Sequence, residues 1–541
     1  MGRKGKRTTA HKLLARVDHT SMVRMRGALS HLVALAALAA PAPAQEDAFK
    51  ALEKGFLPEV SARMDAASRV RLVALVAGYD NPAGAKLLVA GLAALVDRVD
   101  RDYEAFQELR KQYAEVNVVA DVKKDDYKTR TELQNRLMEE EARQQEDSKV
   151  LDAFREAMAK FQDAKAVSSL SADARKLKSW RSREVAAEGI AANPAGTESA
   201  IRLAQQEKDE RVTAAVLRGL RGRATEPVFA FAKESLKAES WPVRLEAALT
   251  LEKVNQPRIL IPLIEAMSRE DGRLRDDIRD VLRRLTSQNF DAEPDQWRLW
   301  YIDNREELEG PGPATALFGA FKSKSPAPEK KSVYGIESRS RKILFIIDSS
   351  GSMRERITKA KGTATGLSAD ELEEMDMTKI DLAKRELKRA IRGLEPEAQF
   401  NIIMFASHVV RWKEKMVKGD MATKNEAYAF VRDLEAAGGT WAYGALQEAF
   451  TVAGMGALDK YYDPAMDTVY FISDGAPTNN DMNKPEAVDP ETVLSAVREW
   501  NRLGKVKLHA VAIDPRAAGG RFVDFMKKLA AQNGGQYTQR E

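Results

Sequence analysis

The run Ile343-Leu344-Phe345-Ile346-Ile347-Asp348-Ser349-Ser350-Gly351-Ser352-Met353 decides how the C-terminal part of this chain is read. Five consecutive apolar residues, three of them β-branched, predict a strand buried on both faces, as strands of parallel sheets are. Asp348, Ser350 and Ser352 then follow at alternate positions. Alternate side chains of an extended segment point the same way, so one carboxylate and two hydroxyls converge, and Gly351 lets the backbone turn tightly around them. Hard oxygen donors of this kind suit Mg²⁺ or Mn²⁺, which take about six oxygens near-octahedrally and usually keep some waters.

Two later segments extend the pattern. Gly438-Gly439-Thr440 offers a third hydroxyl on a sharp turn, and the apolar run from Thr468 to Ser473 ends in a second carboxylate, Asp474. Both aspartates leave the carboxyl end of a strand, the edge at which open α/β sheets bind ligands where strand order reverses. On these residues the segment resembles a von Willebrand factor type A domain, and Asp348, Ser350, Ser352, Thr440 and Asp474 match all five positions of its metal-ion-dependent adhesion site. The resemblance implies that the serines and the threonine touch the metal, that the aspartates often act through water, and that a partner's Asp or Glu supplies the last ligand. The charge count agrees with this scheme. Two carboxylates only just neutralise a divalent ion and hydroxyls add no charge, so the ion stays electrophilic enough to take one more anionic oxygen. Two long loops line the same edge: Arg354 to Thr378, with Glu371 and Glu374, and Ala476 to Asp489, with Asn479, Asn480 and Asp481. These five residues are the expected partner-binding rim, because the metal alone recognises only a carboxylate.

A chain of 541 residues is too long for one ordinary core, and 44% hydrophobic content marks it as globular. Cysteine is absent, which removes disulfides, thiolate zinc sites and cysteine nucleophiles together. Of the five histidines only His408 and His509 lie outside the first 44 residues; His509 sits in a strand-like run and reads as packed, His408 as part of a strand turn. Those first 44 residues read as an export signal. Basic residues run to Arg26, the apolar stretch Leu29 to Ala40 is too short to span a bilayer, and Ala42-Pro43-Ala44 offers small residues for cleavage. The basic segment is long enough that translation from Met22 or Met25 would give a more ordinary leader. Removing residues 1–44 takes away eight Lys/Arg and one Asp and moves the formal net charge from +5 to −2, so the basic balance implies nothing about nucleic acid. An exported protein, periplasmic or at the cell surface or secreted, with no transmembrane segment in its mature chain, is the expectation.

The chain reads as multidomain, an all-α HEAT-like solenoid followed by a doubly wound, mostly parallel α/β sheet. Residues 45–165 are helical by composition, with a helix pair joined at Asp80-Asn81-Pro82 and long, polar, solvated helices over 97–161. In 166–308, Val212, Val216 and Leu220 are followed 31 residues later by Val243, Ala247 and Leu251, and again by Leu274, Ile278 and Leu282. Such spacing with interleaved helices indicates stacked helix pairs, and Trp241 to Ala248 resembles a HEAT repeat. Trp297 and Trp300 fall where a cap would close the stack. Residues 309–334, rich in Gly, Pro, Ser and Lys, read as a linker, and 335–541 alternate strands with helices.

The leading reading is a non-catalytic module that captures a protein partner's carboxylate through Mg²⁺ or Mn²⁺, presented on a helical-repeat scaffold. A Mg²⁺-dependent hydrolase needs an activated nucleophile, and no His, Cys or Lys adjoins Asp348 or Ser350 in sequence. The combination of helical repeats with an adhesion-type domain also resembles the Ro autoantigen, which holds small RNAs. Here residues 165–284 carry 23 Lys/Arg against 18 Asp/Glu, a mild excess where phosphate binding needs a concentrated stripe.

Overall fold

The computed structural model describes residues 42–116, 124–270, 272–309, 334–336, 338–357, 377–453, 465–481, 484–515 and 519–540. Residues 1–41 of the expected leader, nearly all of the expected linker, and Glu371 and Glu374 lie outside the described residues. The chain divides into two compact units, Met1–Arg101 with Lys149–Leu220, and Asp102–Ser148 with Arg221–Glu541. Two long helices, Pro82–Val116 and Lys124–Lys160, each contribute to both units.

Helices fill the N-terminal region: α1 (Ala42–Ser61), α2 (Ala66–Ala77), α3 (Pro82–Val116), α4 (Lys124–Lys160), α5 (Ala164–Ala174), α6 (Trp180–Ala192), α7 (Thr197–Gln206) and α8 (Glu210–Gly219). The expected turn before α3 is present, with Asn81 Oδ1 accepting from the amides of Ala83 and Gly84 and Pro82 opening the helix. Within the first unit Glu184 and Glu188 of α6 are buried or nearly so and share Arg155 of α4 and Arg218 of α8. Desolvated carboxylates of this kind persist only with such pairing.

The second unit continues with α9 (Glu226–Ser235), α10 (Trp241–Val254), α11 (Leu260–Arg269), α12 (Arg273–Thr286), α13 (Pro294–Asp303) and α14 (Arg305–Glu309). All nine residues of the three sequence triplets are buried. A polar fastening also recurs. Arg183 pairs with Glu207 at 2.8 Å and donates to the carbonyls of Leu177 and Lys178; in the second unit Arg244 pairs with Glu270 at 2.5 Å and donates to those of Ala238 and Glu239. Trp297 is buried against Phe290, edge to face, and donates Nε1–H to the Asp291 carbonyl, so it is a core residue.

The α/β layer is built from β1 (Lys342–Asp348), α15 (Lys379–Arg392), β2 (Gln399–Phe405), β3 (Val409–Arg411), β4 (Val417–Lys418), α16 (Met421–Arg432), α17 (Ala442–Val452), β5 (Thr468–Ser473), α18 (Pro490–Trp500), β6 (Lys507–Ile513), α19 (Gly520–Gln532) and β7 (Tyr537–Arg540). Strand order is β3-β2-β1-β5-β6-β7 with β4 also on β2; the β2-β1-β5-β6-β7 pairs are parallel, and β3 and β4 run antiparallel to β2. Alternate residues of the central strands feed two separate cores. Leu344, Ile346, Val469, Phe471 and Leu508 pack with α17, α18 and α19, while Ile343, Phe345, Ile347, Tyr470 and Ile472 pack with α15 and α16. Burial on both faces is what the unbroken apolar runs require.

The expectation of solvated helices over 97–161 is corrected. Phe106, Leu109 and Tyr113 of α3 and Leu137 of α4 form a buried cluster. The polar residues beside them dock this hairpin on the α/β layer within the second unit: Arg110 donates to the Thr451 carbonyl at 2.9 Å, Gln447 to Glu141 at 2.8 Å, and Ser148 to Glu499 at 2.5 Å. A helix that buries polar groups against hydrogen-bonding partners reads in sequence as one facing water. Also in the second unit, α12 meets the amino ends of β5 and β6. Arg273 donates to the carbonyls of Gly504, Lys505 and Asp467, and Asp277 pairs with Lys507 at 2.6 Å.

Candidate metal centre

The reversal of strand order falls at β1, which has β2 on one side and β5 on the other. Register sets Ile347 opposite Ile472, which carries Asp348 alongside Ser473 at the carboxyl edge. Asp348 is 0% exposed. Its Oδ1 accepts from the Ser350 amide at 2.8 Å and its Oδ2 from the Ser473 hydroxyl at 2.5 Å. Burial, and next the neighbouring Asp474 carboxylate, hold Asp348 well above the ordinary carboxylate range, although the donors from Ser473 and Ser350 pull the other way. A buried carboxylate met by an amide and a hydroxyl is the kind of group a cation would satisfy.

From Asp348 the polar atoms run on without a break. Ser350 Oγ lies 3.1 Å from Ser352 Oγ, and Ser352 Oγ donates to Asp474 Oδ1 at 2.8 Å. Thr440 reaches the same place from another loop. A Cβ built on Gly475 would lie 3.4 Å from Thr440 Oγ1 and 3.7 Å from Ser352 Oγ, so the two hydroxyls flank that glycine. All five expected residues are thus gathered at one edge, offering two carboxylates and three hydroxyls.

Three loops are interlocked to hold them there. The Gly351 amide donates to the Gly438 carbonyl at 2.9 Å, Ala437 N to the Ser349 carbonyl at 2.7 Å, and Gly439 N to Ser407 Oγ at 2.8 Å. Gly438 has φ +79°, which favours glycine. At Gly439 a Cβ would come within 2.7 Å of both Pro485 Cβ and Thr478 Oγ1, so the chain passes there only as glycine. Thr478 then fixes Thr440 by accepting its amide and donating its own amide to the Thr440 carbonyl, both at 2.8 Å.

Of the expected rim, Asn479 is occupied in shaping its own loop, its Oδ1 accepting from the amides of Asp481 and Glu486. Asn480 is half-buried and Asp481 exposed, with Asp481 Oδ1 accepting from Lys484 N at 3.0 Å. The loop from Arg354 to Thr378 is closed at its base by Ile357 N donating to the Met377 carbonyl and Lys379 N to the Glu355 carbonyl.

One residue at the site was not read from sequence. Lys379, at the first position of α15, is 2% exposed and donates to Asp474 Oδ2 at 3.0 Å and to Glu355 at 2.7 Å. Burial opposes its charge, but Glu355 and Asp474 more than offset this and raise its pKa above that of an ordinary lysine. The available signal was positional: Thr378 and Asp381 form a capping box that fixes the helix start, and a cation in a first turn runs against the helix dipole. His509 is buried, stacked on Tyr470, and accepts from Gln536 N, and His408 follows Ser407 in the turn between β2 and β3.

Residues 369–539 match the sequence model of the von Willebrand factor type A domain, so the C-terminal part of the chain carries a domain of that family. The matched range begins after β1 and its Asp348 loop. The chain is similar to inter-alpha-trypsin inhibitor heavy chain H4 of Homo sapiens, 24% identical over 202 residues, which are 37% of this chain and 18% of that protein. It is also similar to von Willebrand factor A domain-containing protein 3A of Homo sapiens, 29% identical over 140 residues, 26% of this chain and 10% of that one. The chain therefore spans less than a fifth of either relative. Among solved structures, a von Willebrand factor type A protein from Catenulispora acidiphila matches with TM-score 0.27 and 18% identity over 38% of this chain and 40% of that chain.

Proposed function

We propose that this chain is an exported, non-catalytic protein-binding module that captures a partner's Asp or Glu carboxylate through Mg²⁺ or Mn²⁺ at its sheet edge. The similar proteins share the type A domain, and a protein-interaction role is the coarse reading their names support. The observation that carries the finer reading is the convergence of Asp348, Ser350, Ser352, Thr440 and Asp474 around a buried carboxylate. Those five residues would hold the ion, with Asp348 and Asp474 supplying charge and the hydroxyls supplying neutral oxygens. The bound cation would supply an electrophilic centre for an anionic oxygen; the chain's own residues orient the donors and shield them from water. Helical repeats in 166–308 would present the site. A nucleic-acid reading gains little, since Arg183, Arg218, Arg244 and Arg284 are each paired with a glutamate.

Calorimetric titration of Mg²⁺ into the full chain and into Asp348→Ala tests this. Binding in the wild type that disappears in a folded variant supports the reading, as does chelator-sensitive capture of a carboxylate-bearing partner. Equal heats from both proteins would overturn it.

A further inference from the structure

Lys379 has no place in a scheme built only of metal ligands, yet it touches one of them. Its ammonium is buried at the edge of the site and holds Asp474 by Oδ2, leaving Oδ1 turned to Ser352. The second partner, Glu355, is 60% exposed on its side chain, and water screens much of its charge. The charge near the donor set is therefore two buried carboxylates and one buried ammonium. A divalent ion added to that set leaves an excess positive charge of about one; without the ammonium the same ion would be neutralised.

We propose that Lys379 is a positioning residue that acts as a resident counter-cation. It fixes the rotamer of Asp474, keeps the ion-free edge from facing itself with two unbalanced carboxylates, and sets the divalent ion's affinity deliberately low while keeping the loaded site attractive to an anionic ligand. This rests on the metal reading above. The identity of the ligand class follows from the same count, because only an anion gains from a net positive site.

Two consequences separate this role from one of packing. Replacing the ammonium by an uncharged chain of similar length removes a like charge from beside the ion, so Mg²⁺ should bind more tightly, by about tenfold or more for one charge at short range in a partly desolvated site. Replacing it by arginine keeps the charge and should leave affinity within about threefold, since the guanidinium retains the ion pair. Removing the ammonium also leaves Asp348 and Asp474 opposed in the ion-free form, so added Mg²⁺ should raise the unfolding temperature of that variant more than it raises that of the wild type.

The experiment is Mg²⁺ titration by calorimetry on the full chain as wild type, Lys379→Met, Lys379→Arg and Glu355→Gln, with thermal unfolding of each with and without MgCl₂. Tighter Mg²⁺ binding and a larger Mg²⁺-dependent thermal shift in Lys379→Met, with Lys379→Arg close to wild type, are expected. Should Lys379→Met fail to fold without metal, refolding on addition of MgCl₂ supports the proposal and failure to refold counts against it. Glu355→Gln, at an exposed position, strips the anion from the ammonium's far side and should weaken Mg²⁺ binding by a few-fold. Wild-type Mg²⁺ binding that is unchanged or weakened in folded Lys379→Met overturns this role while leaving the metal reading intact. No Mg²⁺ binding by any of the four proteins overturns both.

Discussion

His509 offers a prediction whose size follows from its surroundings. The ring sits in the middle of β6, 3% exposed, stacked on Tyr470 with centroids 4.9 Å apart, and its Nδ1 accepts from the Gln536 amide at 3.0 Å. Nδ1 cannot take a proton without losing that bond. Burial above all, then the positive charges of Lys507 and Arg273, push its pKa down to about 3. An unfolded chain holds the same imidazole near 6.5. The folded value is the depressed one, so its stability is fully present above about pH 6.5 and is lost as pH falls towards 3, because the unfolded chain gains a proton that the folded chain refuses. The linkage amounts to about 2 kcal/mol at pH 5 and about 3 kcal/mol at pH 4. Urea unfolding of wild type and His509→Gln at pH 8, 7, 6 and 5 reads it. The glutamine carbonyl can accept from Gln536 and does not titrate, so its cost is the same at every pH. The stability gap between the two proteins should be constant from pH 8 to 7 and then close, or reverse, by about 2 kcal/mol at pH 5. A gap constant to within about 0.5 kcal/mol over the whole range would refute the reasoning.

Glu141 should behave with the opposite sign. Burial raises its pKa to about 7 against the pull of Gln447 and Arg110, so the penalty for its charge grows as pH rises from about 4.5 to 7; Glu141→Gln should stabilise the chain by about 1–3 kcal/mol at pH 8 and by nothing at pH 4.5, in the same urea assay. Gly439→Ala drives a methyl into Pro485 and Thr478, and should cost about 1–3 kcal/mol and weaken Mg²⁺ binding by displacing Thr440; an unchanged calorimetric isotherm counts against the interlock. Arg273→Ala leaves Asp277 and three carbonyls short of a buried partner and should cost about 3–5 kcal/mol in thermal or urea unfolding. Trp297→Ala should cost a similar amount, about 3–5 kcal/mol, if the ring is core as its burial indicates.

The central strands were legible as unbroken apolar runs, and the gathering of Asp348, Ser350 and Ser352 from the alternation that follows the first of them. β5 begins and ends with the apolar run Thr468 to Ser473 read from the sequence. β4 and β7 were not seen in advance: Val417–Lys418 is two residues long, and Tyr537-Thr538-Gln539-Arg540 is a polar edge strand with no alternation to read. The docked hairpin was misjudged for a different reason. Arg110, Glu141 and Ser148 look like solvent-facing residues, and what buries them is a partner surface more than 300 positions away in the chain. Lys379 was missed because a lysine beside a helix start carries no motif, and its importance exists only once Asp474 is placed beside it.

The attachment of α12 to the amino ends of β5 and β6 gives the domain a mechanical axis. Arg273 and Asp277 grip one end of the parallel strands, while the Asp348–Asp474 edge lies at the other. Tension applied at that edge and resisted at α12 runs along the strands. Hydrogen bonds between β1, β5 and β6 are then loaded together in shear, where they share the force, and not peeled apart in succession.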